Sequence, residues 1–218
     1  MNFNKHSDLE GRHAILGPSS YHWLNADEEK IRQRYQNAFA TTIGTTTHEL
    51  AKKLIEKQMK LNKSDKHLFL FYLLDAGIPR DLINTEFIFP NLSHYVNDAI
   101  GFRMTPEQIL YYSENCFGTA DSISFRNNLL RIHDLKTGVT PASIKQLEIY
   151  AALFCLEYKV RPGDIGMELR LYQSRFDEDE GIVDEVIVHN PAADDILPIM
   201  DKIVVSDKWI SKMREEGN

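Results

Sequence analysis

The chain has 218 residues with 25 Lys+Arg against 32 Asp+Glu, a formal charge of −7, and its size suits one domain with a large buried core. No apolar run approaches the roughly 20 residues of a membrane span, and the polar start MNFNKHSDLEGRH has no signal-peptide core. Two cysteines, Cys116 and Cys155, are too few for a structural zinc site or a four-cysteine iron–sulfur cluster, so a cytoplasmic protein with reduced, core-packed thiols is expected.

In chain order, Ser19 or Ser20 can cap a helix that runs through Trp23 and Leu24 into EEKIRQRY. The chain is expected to turn around Gly44. Thr46-Thr47-His48-Glu49 then has the capping-box pattern for a second helix, HELAKKLIEKQMK, with Leu50, Leu54 and Ile55 at helical spacing. Helices over 65–76 and 92–100 follow, 81–89 is ambiguous, and 109–113 reads as a short strand. Residues 117–125 and 129–136 are rich in β-formers around Asn127-Asn128, a pair that tolerates the positive φ values of a type I′ turn. Pairing Arg126 with Leu129 sets Asp121 opposite Asp134, with Cβ atoms about 4.5–5.5 Å apart. Pro141 is expected in the first turn of a helix to about Glu157, with Ile144, Leu147, Ala151 and Phe154 on one stripe. Strands are expected over 167–172 and 182–188. This order predicts an α/β fold, a single domain over 1–218 with a central mixed β-sheet flanked by helices.

The negative charge is unevenly distributed. Residues 1–150 carry 17 basic and 17 acidic side chains, whereas 151–218 carry 8 and 15. Much of that excess is the run Asp177-Glu178-Asp179-Glu180 with Asp184 and Glu185, which reads as a solvated loop or as an acidic surface that mimics DNA. Total charge therefore leaves room for a local basic groove. Arg12, Arg126 and Arg131 are candidates for phosphate contact, but nothing in the sequence separates them from ordinary surface arginines.

The hairpin carries the chemistry. Like charges directly opposite each other destabilise a sheet, so Asp121 and Asp134 call for a cation between them, and alternation places Lys136 on the face of Asp134. Two hard carboxylates with room for water and phosphate suit Mg²⁺ or Mn²⁺. Taken alone, the same three residues also fit a solvated ion-pair cluster. His48, on the side of Ala51 and Ile55, can complete a metal shell or stand as a boundary histidine. Glu49 serves the capping box or a secondary ligand position, and Glu114 reads as a strand-edge carboxylate. Gln146 and Tyr150, at i and i+4, share a helix face and can bind a nucleotide phosphate or base.

In order, GTTTHELA, GTAD, HDLKTG and QLEIY resemble the motifs of the RecB-like and lambda-exonuclease-like branch of the PD-(D/E)xK nuclease superfamily. ILGPSSYHWLN is similar to the N-terminal segment of its phage-encoded members. The resemblance implies a restriction-endonuclease-like core over about 15–175, with an acidic C-terminal extension over about 176–218. It implies a Mg²⁺/Mn²⁺-dependent DNA exonuclease of phage recombination or repair, working in the host cytoplasm. His48, Asp121, Asp134 and the main-chain carbonyl of Leu135 would bind metal. Asp121, Asp134 and Lys136 would be catalytic, and Gln146 and Tyr150 would hold DNA. A homo-oligomer and a single-strand annealing or recombination partner belong to the same expectation. The alternative is a catalytically silent nuclease-fold module that binds DNA ends or a host protein.

Overall fold

The computed structural model describes residues 5–7 and 14–216; Arg12 lies outside the described residues. The chain divides into two compact units, Met1–Thr42 and Ile43–Asn218. In the first, a 3₁₀ segment over Pro18–Asn25 replaces the expected helical start at Ser19 or Ser20. Helix α1 (Glu28–Glu56) begins three residues after that segment, where the Asp27 carboxylate accepts the Lys30 N–H at 2.9 Å.

The expected turn at Gly44 does not occur. Helix α1 runs through Gly44 and Thr46 without a break, so Thr46 caps nothing and Glu49 is not half of a capping box. The reason is packing. Ile43, Thr47, Ala51 and Ile55 recur every four residues and are all buried, a stripe that outweighs the roughly 1 kcal/mol helix cost of one glycine. Thr47 satisfies its buried hydroxyl by donating to the Ile43 carbonyl at 2.7 Å.

Helices α2 (Lys66–Asp75) and α3 (Thr85–Gly101) follow; the ambiguous 81–89 region divides between a 3₁₀ turn over Arg80–Leu82 and the first turn of α3, which also takes in the expected 92–100 helix. The sheet contains β1 (Thr105–Ser113), β2 (Cys116–Arg126), β3 (Leu129–Lys136), β4 (Gly166–Asp177) and β5 (Gly181–His189) in the order β1-β2-β3-β4-β5. Only β3 and β4 run parallel, joined through helix α4 (Lys145–Tyr158); the other neighbours are antiparallel. The result is a five-stranded mixed sheet flanked by helices. Helix α4 starts four residues later than Pro141, because the preceding loop is held elsewhere. The buried Gln173 side chain donates to the Gly138 and Thr140 carbonyls and accepts the Ala142 N–H. A final helix, α5 (Ala193–Glu216), has no counterpart in the expectations above. Among the described residues, no helix is long and apolar enough to cross a membrane.

Strand alternation sorts β3 between two environments. Leu130 and Ile132 join Leu147, Ala151 and Phe154 of α4 in the buried cluster. His133 points the other way, edge-on to Phe102 at the end of α3 and 3.2 Å from the Tyr172 hydroxyl. Burying leucine or isoleucine side chains such as these contributes about 1.5–3 kcal/mol each.

Candidate metal centre

The hairpin fixes the first half of the site. Asn127 and Asn128 have φ values of 52° and 57°, the type I′ signature, and the ladder runs from Arg126↔Leu129 to Ser122↔His133. It stops there, one step short of the aspartates. At the end of the ladder the Asp121 carboxylate Oδ2 accepts the Leu135 N–H at 2.9 Å, a main-chain donor satisfied by a side chain instead of a neighbouring strand. Strand β2 also changes phase at this point: Ala120 and Ile123, three residues apart, both enter the same buried cluster. The break keeps Asp121 half-buried between core and solvent.

Strand β1 breaks its ladder at the same level. Pro106 pairs with Ser122 and Gln108 with Ala120, leaving Glu107 level with Asp121 but unpaired. Glu107 has φ 52°, a left-handed conformation inside a strand. A non-glycine residue held there costs about 1–3 kcal/mol and clusters at functional sites. His48 closes the group from α1, its Nδ1 3.4 Å from Asp121 Oδ2. Ligand atoms of His48, Glu107 and Asp121 all lie within 4.8 Å of one another. A cleft of about 500 Å³ opens on these three residues, with Glu49 and Lys52 on its wall.

Asp134 sits deeper, with 1% of its surface exposed. Lys136 Nζ donates to Asp134 Oδ1 at 3.1 Å and stands 2.9 Å from Oδ2, so the ammonium is ion-paired with both carboxylate oxygens. The lysine also donates to Gln146 Oε1 at 3.0 Å, and Gln146 Nε2 donates to the Tyr150 hydroxyl at 3.2 Å. One polar chain thus joins the D-x-K strand to α4. The glycine of GTAD has a steric reason: a Cβ at Gly118 would stand 3.0 Å from the Tyr150 ring.

Burial dominates the electrostatics. It pushes the Asp121 carboxyl up to about 6, against the Leu135 hydrogen bond and the Lys136 charge. Asp134 is pushed up to about 6 by burial first and then by the Asp121 charge, with Lys136 opposing. Burial lowers the His48 pKa, so the ring favours its neutral, ligating form; the nearby Asp134 and Glu107 charges act in the opposite direction. Behind the sheet, burial and the charges of Arg170 and Arg131 hold His133 at about 3.

Of the residues expected from the sequence, the structure sets His48 beside Asp121, ties Asp121 to the Leu135 N–H, and links Asp134, Lys136, Gln146 and Tyr150 in one polar chain; Asp134 lies outside the group of ligand atoms that His48 and Asp121 form. The structure adds Glu107, which sequence reasoning missed because the expected strand began at Ile109. Glu114 stands apart in the β1–β2 turn, where the Tyr111 hydroxyl contacts it at 3.4 Å. The donor set of His48, Glu107 and Asp121, one imidazole and two hard carboxylates, could hold a divalent cation such as Mg²⁺ or Mn²⁺. No protein-family model, curated protein or solved structure matches the chain.

Proposed function

We propose that the protein is a metal-dependent deoxyribonuclease, an exonuclease of the phage recombination and repair type on a restriction-endonuclease-like PD-(D/E)xK core. The observation that carries this reading is the convergence of ligand atoms from His48, Glu107 and Asp121 within 4.8 Å of one another at a cleft, next to the buried Asp134–Lys136 ion pair. Two carboxylates and a neutral-favouring imidazole crowded at a solvent-open cleft, one of them on left-handed backbone, are suited to a cation that the protein itself does not supply.

His48, Asp121, Asp134 and the Leu135 carbonyl would hold Mg²⁺ or Mn²⁺, with Glu107 as a further carboxylate at the cleft. When bound, the ion would supply Lewis-acid polarisation of the phosphodiester and a more acidic water. Lys136, fixed between Asp134 and Gln146, orients the attacking water and offsets charge growing on the phosphoryl oxygens. Gln146 and Tyr150 align the phosphate next to that amine. Water oxygen forms the new bond to phosphorus as the P–O3′ bond breaks; the 3′ oxygen takes up a proton, leaving a 5′-phosphate.

The direct test is cleavage of end-labelled linear duplex, linear single-stranded and closed circular DNA with Mg²⁺, Mn²⁺ or EDTA, beside Asp134→Ala. Metal-dependent loss of linear DNA alone, absent in the variant, is the expected result. Cutting of circles would make the enzyme an endonuclease. Tight binding with no cleavage in either metal would replace the hydrolase with the binding module.

A further inference from the structure

At the opposite end of the β2–β3 hairpin the charge balance reverses. A cleft of about 620 Å³ opens between the segment after α3 and the hairpin tip, and its lining contains Arg103, Arg126 and Arg131 but no carboxylate. The chain as a whole carries a charge of −7. Arg103 and Arg126 are exposed, and among the described residues no carboxylate pairs with either.

Arg131 is built in. Its Nε donates to Glu168 Oε1 at 3.0 Å, and its guanidinium lies 4.4 Å from the Phe102 ring centroid. Arg170 shares both partners, at 3.1 Å from the same Glu168 oxygen and 4.8 Å from the same ring, and also donates to Asp98 at 2.8 Å. Glu168 and Asp98 thus balance Arg131 and Arg170, and the charges of Arg103 and Arg126 remain uncompensated. With its Nε committed to Glu168, Arg131 keeps its terminal amino groups for another acceptor. Arg103 has φ 53° just past the end of α3, a position that commonly falls to glycine. Pre-positioned guanidinium forks recognise phosphate oxygens better than mobile ammonium groups do.

We propose that this arginine cleft is a second nucleic-acid contact, gripping the sugar–phosphate backbone away from the scissile bond. The proposal rests on the nucleic-acid reading of the metal centre. Arg126 follows Asp121 by five residues on β2, a reach of about 16 Å at roughly 3.3 Å per residue. Phosphates on a B-form strand succeed each other at about 3.4 Å along the axis. The separation along the hairpin is thus comparable to about five phosphate steps, which puts the cleft away from the bond being cut.

The test compares the full-length wild type with the double variant Arg103→Gln/Arg126→Gln, both checked by thermal melting. Fluorescence anisotropy with a labelled 30-base-pair duplex in EDTA, over a salt series, reads affinity without cleavage. Loss of two phosphate contacts lowers the slope of log K against log [KCl] by about 1.8 and weakens binding about tenfold or more at low salt. A small diester, thymidine 5′-monophosphate p-nitrophenyl ester, is too short to reach the cleft, and its metal-dependent kcat/KM is expected to be the same for both proteins. An unchanged slope and affinity would overturn the proposal while a DNA-cleaving wild type kept the nuclease reading. A reduced slope in a protein that cleaves neither substrate would keep the cleft and remove the nuclease. Equal losses on duplex and small ester would assign the arginines to the metal centre and overturn the proposal as stated.

Discussion

The two ends of one hairpin are opposites. At the open end, Asp121 and Asp134 crowd together, burial holds both carboxyls near 6, and Glu107 and His48 bring further ligand atoms to Asp121. At the turn, three guanidiniums line a cleft without an acid. The same two strands thus carry an excess of negative charge at one end and of positive charge at the other, though the protein as a whole is acidic. Net charge is a poor guide to partners; the local imbalance, and which groups are left unpaired, is what points to a ligand.

Lys136 is the sharpest point at which to break the comparison. Lys136→Ala is expected to cut the cleavage rate by about 10²–10⁴-fold, with duplex affinity in EDTA changing by no more than about threefold, because the arginine end supplies phosphate contacts. Initial rates and anisotropy on one preparation decide it. A variant that loses affinity as heavily as rate would show that the two ends are not separate in role.

Glu107 tests the centre from the side that the sequence did not reveal. Glu107→Gln removes a charge from the cleft but leaves Asp134 and Lys136 in place. The Mg²⁺ concentration for half-maximal cleavage is expected to rise about tenfold, the scale on which supporting groups tune metal affinity, with the rate at saturating metal largely retained. An unaltered metal titration would make Glu107 a bystander and its left-handed backbone a structural accident.

The pH dependence carries a definite sign. The folded-state pKa of Asp134 is about 6 against an ordinary 3.8, so the folded state holds the proton more tightly. That contribution to stability is fully present below about 3.8 and is lost as pH rises through about 6. Asp134→Asn is therefore expected to gain on the wild type between pH 4 and pH 7.5 in EDTA, by up to roughly 3 kcal/mol. Saturating Mg²⁺ should reverse the gain, since the cation stabilises only the protein that retains the carboxylate. Urea melts across that range measure it, and parallel stability curves for the two proteins would contradict the buried-pair account.

The open end was readable where local rules decide the structure. Asn127-Asn128 dictates a type I′ turn, the turn dictates register, and register brings Asp121 to the level of Asp134. His48 was identified by its place among the motifs, but its setting was not: the four-residue stripe from Ile43 to Ile55 carries α1 straight through Gly44. Glu107 was hidden because its level depends on a β1–β2 connection with an irregularity between Tyr111 and Ser113, and because glutamate gives no hint of a positive φ. Helix α5 had a signal in Ile196, Met200 and Ile203, all packed on the core, but Pro198 and the acidic start obscured it. The arginine cleft joins residues from two distant segments, a tertiary fact that no local pattern encodes.

The smallest expected effect isolates the turn that separates the two ends. Asn128 is held at φ 57°, which asparagine tolerates and glycine adopts without steric cost. Asn128→Gly removes that strain but adds freedom to the unfolded chain, so a net gain of about 0.5 kcal/mol, one or two degrees in Tm, is expected. Because Asn128 contributes spacing and no charge, cleavage rate, metal titration and the salt slope of DNA binding should all stay at their wild-type values. A lower salt slope in this variant would mean that the turn itself holds phosphate, and the positive end would then extend from the arginine side chains to the backbone that presents them.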